Sequence, residues 1–148
     1  MKIGICFLLF FFVCPNFAIS INNGDPFDYI NSRIKKINHY DEFINILDQK
    51  DILIVIICYH NNFYGTSEKE FSEMASIYED LKKQFNSNKK VAFYRVHMTS
   101  GIHFCLFEDK SPSIQTYYNG MKLNALSGRK PKKDIVKFLM NTLQSLGV

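Results

Sequence analysis

The chain has 148 residues, 47% of them hydrophobic and 22% charged, with a formal net charge of +4. That length gives one domain with a single hydrophobic core, and the composition excludes a disordered chain. The small basic excess, part of it in Lys130, Lys132 and Lys133 at a helix start, does not imply nucleic-acid binding.

The N-terminus carries its own pattern. Lys2, the apolar run Ile3–Val13, the breaker Pro15 and the small residues in Phe17-Ala18-Ile19-Ser20 predict a secretory signal peptide over 1–20. Eleven apolar residues are too few to cross a bilayer as a helix. An uncleaved anchor is the alternative. No second run of spanning length follows, so no membrane span is expected after cleavage. The polar stretch Ile21–Asp28 reads as a loose leader, which places a leader over 21–33 and a domain over 34–148.

Ser32–Ile37 suits a short strand with Ile34 and Ile37 as its apolar positions. Asp41 and Glu42 open a helix that carries Phe43, Ile46 and Leu47 on one face. The run from Ile52 to Ile57 predicts a central strand covered on both faces. Ser67 and Glu70 form a capping box, and Phe71, Met74, Tyr78, Leu81 and Phe85 then recur at helical spacing. Val91–Val96 reads as a second buried strand, and Ile102–Phe107 as a short helix or turn packed on the sheet. Asn119-Gly120 predicts a hairpin between Ile114–Tyr118 and Met121–Leu126, because that pair tolerates positive φ. Pro131 falls in the first turn of a last helix whose core face is Ile135, Phe138, Leu139 and Leu143. The order is that of an α/β fold, a mixed central sheet flanked by helices.

Little in the chain points to cofactor chemistry. Cleavage of the leader removes Cys6 and Cys14, leaving Cys58 and Cys105, 47 positions apart. That spacing matches no metal site and no Cys-x-x-Cys motif. An oxidising compartment permits a disulfide between them, and the spacing leaves the question open. His39, His60, His97 and His103 are dispersed, and the seven glycines are isolated. Neither a metal nor any other cofactor is expected. The C-terminal Gln144-Ser145-Leu146-Gly147-Val148 has no ER-retention tetrapeptide, and no Asn-x-Ser/Thr sequon occurs. The expected location is the secretory route, with the ER lumen, the extracellular space and a vacuolar space left open.

Two segments carry a family resemblance. After the central strand, Phe63-Tyr64-Gly65-Thr66-Ser67 stands where thioredoxins have Trp-Cys-Gly-Pro-Cys. Farther on, the stretch Ser111-Pro112-Ser113-Ile114 to Asn119-Gly120 resembles the family's Ile-Pro-Thr-Leu-strand-Asn-Gly segment. The chain thus resembles a thioredoxin-like protein, from about Ile34 to Leu143, that lacks the redox cysteines. Its richness in Asn, Lys, Ile, Tyr and Phe also resembles chains of malaria parasites, which have secreted thioredoxin-like proteins, one of them an accessory of a protein-export machine.

The resemblance aligns Tyr64 with the first cysteine and Ser67 with the second. Dithiol exchange needs two sulfurs, so thioredoxin-type oxidoreductase activity is not expected. Ser67 has no adjacent base, and its capping role accounts for it. The resemblance also implies that Pro112 is cis and that Ser111 offers its backbone to an extended peptide. Phe63, Tyr64 and Gly65 from one loop, with Ser127 and Gly128 from another, would complete a peptide platform. The alternative is that the aromatics only cover the loop.

Cys58 falls near the buried acidic position of thioredoxins. A cysteine in such a strand behaves as a small core hydrophobe. The rival reading makes Cys58 a monothiol nucleophile activated by His60, a disulfide reductase or isomerase. The expected function is a non-catalytic protein that binds other proteins or extended peptides. It would serve as an accessory or adaptor subunit, or a folding helper, of the secretory pathway.

Overall fold

The structure, a computed structural model, describes residues 25–60, 68–98 and 111–147. Helix α1 (Pro26–Tyr29) and strand β1 (Lys35–Lys36) are followed by α2 (Tyr40–Leu47) and β2 (Leu53–Tyr59). Then come α3 (Glu68–Phe85), β3 (Val91–His97), the hairpin β4 (Ser113–Tyr118) and β5 (Met121–Ser127), and α4 (Lys132–Leu146). The five strands form one sheet in the order β1-β3-β2-β4-β5. β2 pairs with β3 in parallel and with β4 antiparallel, so the sheet is mixed.

β2 is the centre of the sheet, and every one of its residues is buried. Alternation along a strand sends successive side chains to opposite faces. Leu53, Val55, Ile57 and Tyr59 meet Met74, Tyr78 and Leu81 of α3 and Ile135, Leu139 and Leu143 of α4. Ile54, Ile56 and Cys58 meet Phe43 and Ile46 of α2 with Val96 and Tyr117. Phe43 and Tyr117 pack edge to face with ring centroids 5.8 Å apart. The expected helical stripes of α2, α3 and α4 therefore cover both faces of the expected central strand. The side chain of Phe71, the Ser67 cap and the segment Ile102–Phe107 lie outside the described residues.

Turns follow their residue chemistry. Asn119 and Gly120 take φ of 49° and 81° at the hairpin tip, and the Asn119 Oδ1 accepts the Asp51 N–H at 2.9 Å. Pro131 stands one position ahead of α4 rather than inside its first turn. It acts through its carbonyl, which accepts the Asp134 and Ile135 N–H groups at 2.9 and 3.3 Å.

The largest departure from expectation is at the leader. From Asp25 onward the chain is not loose. Asp25 caps α1 by accepting the Phe27 N–H at 3.1 Å, and Phe27 is fully buried against Tyr59 and Tyr78. The Asp25 carboxylate sits between cations, 2.6 Å from Arg95 Nη1 and 3.0 Å from Lys36 Nζ. The Tyr59 hydroxyl donates to its Oδ1 at 2.7 Å. Arg95 also donates to the Tyr59 hydroxyl at 3.1 Å, to Asp28 at 2.8 Å and to the Ile34 carbonyl at 3.0 Å. Composition suggested a leader because Asp25, Pro26 and Asp28 are turn-type residues. Their buried cationic partner lies 70 positions on, at Arg95.

Burial alone pushes the Asp25 pKa up, but the Tyr59 hydrogen bond, Lys36 and Arg95 outweigh it, and the net shift is downward. The group is thus a buried carboxylate held ionised by its partners. Breaking a buried pair from one side strands the other charge. Replacing Arg95 with Leu is expected to lower stability in urea denaturation by about 3–5 kcal/mol. A loss within experimental error would show that the pair does not hold α1 to the sheet.

Candidate functional site

The C-terminal ends of β2 and β3 meet the start of β4 at one end of the sheet. Tyr59 and His97 are register partners, and the Met98 N–H donates to the Tyr59 carbonyl at 2.8 Å. The His60 N–H donates to Ser111 Oγ at 3.0 Å. His60 Nδ1 lies 2.8 Å from the Met98 carbonyl. A carbonyl only accepts, so Nδ1 carries the proton in that contact. The histidine therefore stitches the three strand ends together.

Ser111 is exposed, Pro112 is buried, and the bond between them is cis. The next residue, Ser113, pairs with Cys58 on one side and with Ser127 on the other. Ser111, Pro112, Ser127 and Gly128 thus lie at the same end of the sheet. Gly128 turns the chain out of β5 with φ of 76°, a conformation that favours glycine. Phe63, Tyr64 and Gly65 lie outside the described residues.

Beside Pro112 is a cavity of about 180 Å³. Met74 and Tyr78 of α3, Ile135 of α4 and Pro112 form its buried floor, with the half-buried Ile77 at the side. Glu70 and Glu73 stand on the α3 wall, and Arg129 and Lys130 on the opposite loop. Arg129 reaches across to Glu70 at 3.5 Å. Sequence reasoning assigned Glu70 to a helix cap and Lys130 to a solvated helix start, and it placed Met74 and Ile135 in the core. Nothing in their spacing shows that one loop sets them around a common opening.

Cys58 is 1% exposed and disulfide-bonded. The other cysteines of the chain, Cys6, Cys14 and Cys105, lie outside the described residues. A monothiol nucleophile requires an accessible thiolate. At Cys58 the sulfur is buried and already bonded, and the Nδ1 of His60 is directed to the Met98 carbonyl. The geometry favours the structural role for this residue. Among the described residues no group of three or more His, Cys, Asp or Glu side chains could hold a metal ion, and no helix is long and apolar enough to cross a membrane.

No family model matches the chain, and no curated protein does. Solved structures do. Mitochondrial thioredoxin 3 of Saccharomyces cerevisiae superposes with a TM-score of 0.59 at 17% identity, over 78% of this chain and 98% of that one. Thioredoxin f2 of Chlamydomonas reinhardtii gives 0.56 at 23% identity, over 75% and 96%. A Plasmodium falciparum thioredoxin gives 0.55 at 20% identity, over 74% and 98%. At these identities the likeness establishes the fold.

His97 is a measurable reporter of this end of the sheet. It stacks on Tyr59 with centroids 5.2 Å apart, and burial pushes its pKa below the ordinary 6.5. Asp25 opposes that shift, while Lys36, His60 and Arg95 add to it. A lowered pKa means that the unfolded chain binds the proton more readily. The stabilisation is complete above the ordinary histidine value and is lost as pH falls toward the folded one. Urea midpoints are expected to drop as pH falls below the ordinary histidine value of 6.5, and His97→Phe to flatten that slope. An equal slope in the variant would assign the pH dependence to other groups.

Proposed function

We propose that this chain, a thioredoxin fold without a Cys-x-x-Cys pair, binds extended segments of other proteins at the Pro112 end of its sheet. It acts there without dithiol chemistry, as an accessory or adaptor subunit of a protein-export or folding complex on the secretory route. The observation that carries this reading is the coincidence of two features. A cavity with a buried apolar floor and charged walls opens beside Pro112, and Cys58, the one cysteine of the described sheet, is buried and bonded rather than poised. Ser111, directly before Pro112, is exposed, and an extended segment would use its backbone as an added strand uses a sheet edge. Support for the secretory route comes from the N-terminal apolar run and from the bonded state of Cys58, since disulfides persist in oxidising compartments.

A second reading keeps redox chemistry. The neighbours in fold are thioredoxins, and Cys58 pairs in register with the residue after Pro112. Under it, the Cys58 disulfide would be exchanged with substrates. Its burial argues against this, because exchange requires in-line access to a sulfur.

An insulin-reduction assay with dithiothreitol is expected to show no acceleration over buffer. An unfolded, carboxymethylated model chain is expected to bind in fluorescence anisotropy. Acceleration comparable to a thioredoxin, or absence of binding, would overturn the proposal. Maleimide is expected to leave Cys58 unlabelled in the native, non-reduced protein and to label it after reduction in urea. If the leader is cut after Ser20, non-reducing peptide mapping must pair Cys58 with Cys105, since that cut removes Cys6 and Cys14. Rapid native labelling of Cys58 would favour the redox reading.

A further inference from the structure

We infer that the cavity beside Pro112 receives one bulky apolar side chain of the bound segment, aromatic or leucine-like, with acidic residues directly next to it. This rests on the peptide-binding reading and specifies what that site selects. The first ground is size. A cavity of about 180 Å³ is close to the engineered apolar cavities of about 150 Å³ that take up benzene. It is well below the 300–1,000 Å³, approximately, of sites that enclose a whole drug-sized ligand. One side chain fits, and a free cofactor does not.

The second ground is the chemistry of the floor. Met74, Tyr78 and Ile135 are 7%, 3% and 1% exposed, so the cavity bottom is continuous with the main core. An inserted apolar group would contact packed side chains rather than water, at about 25 cal/mol per Å² removed from solvent. Methionine at the base adapts to differently shaped guests.

The third ground is charge. The acidic wall is largely answered from within the chain. Glu70 faces Arg129 at 3.5 Å, and Glu73 lies 4.0 Å from Lys69. Lower on α3, Asp80 takes Lys132 at 3.4 Å and Lys83 at 3.9 Å. The loop side keeps a surplus. Lys130, which lines the cavity, is exposed and has no ion pair among the described residues, and between Arg129 and Lys137 the single acid is Asp134. A segment whose anchor enters the cavity passes this rim, where carboxylates gain and further cations lose.

The test uses three fluorescein-labelled probes and the full mature chain. One peptide is Gly-Ser-Phe-Asp-Glu-Ser-Gly, the second has Ala for Phe, and the third has Lys-Lys for Asp-Glu. The first is expected to bind at least roughly tenfold more tightly than either of the others, about 1.4 kcal/mol. In methyl NMR it should shift the Met74 resonance. Glu73→Trp, on the exposed face of α3, should remove the preference for Phe over Ala, and Met74→Phe, filling the floor, should do the same. Equal affinity for the Phe and Ala peptides with an unmoved Met74 methyl overturns the cavity assignment. So does preference for the Lys-Lys peptide. If the carboxymethylated chain binds in those cases, peptide binding itself stands. If neither it nor any probe binds, both proposals fall together.

Discussion

The covering of β2 on both faces is the constraint from which the other features follow. A strand with no exposed residue must find an apolar layer for each alternate side chain, and the chain supplies α3 and α4 on one face and α2 on the other. Its pairing with β3 and β4 satisfies its backbone on both sides. Only its C-terminal end is open to elaboration. Tyr59 there joins a buried ionic cluster, Cys58 a disulfide, and His60 the start of β4. Polar chemistry is thus concentrated at one end of the sheet because the rest of the strand admits none.

Much of this was legible in the residues themselves. The apolar run from Ile52 to Ile57, the stripe through Met74, Tyr78, Leu81 and Phe85, and Asn119-Gly120 each carry a local periodic or turn signal that the structure follows. The Ser111-Pro112-Ser113 segment was legible only through resemblance, since a proline before a strand is ordinarily a turn residue. The Asp25–Arg95 pair had no signal at all. Its partners are far apart in sequence, and a lone arginine within the strand residues Val91–His97 looks like an exposed edge position. The cavity was hidden for a related reason: its floor residues read as core, which they also are, and its rim residues read as solvated charge.

Set beside the thioredoxin structures, the chain keeps the fold, and the one cysteine among its described residues is buried and bonded. A small recess with an apolar floor and a charged rim would suit recognition by contact area, with the ions at its rim adding discrimination between segments. Recognition of this kind leaves no short motif in a sequence. The sulfur at Cys58 stands on the opposite face of β2 from the cavity floor.

The Asp25 carboxylate limits how far the chain can be shortened from its N-terminus. A start at or before Asp25 keeps every group of that ionic cluster. Trimming that advances past Asp25 would instead strip Arg95 and Lys36 of their shared counter-ion and lift Phe27 from its seat. The shortest start that the fold tolerates is therefore set by a guanidinium in the third strand.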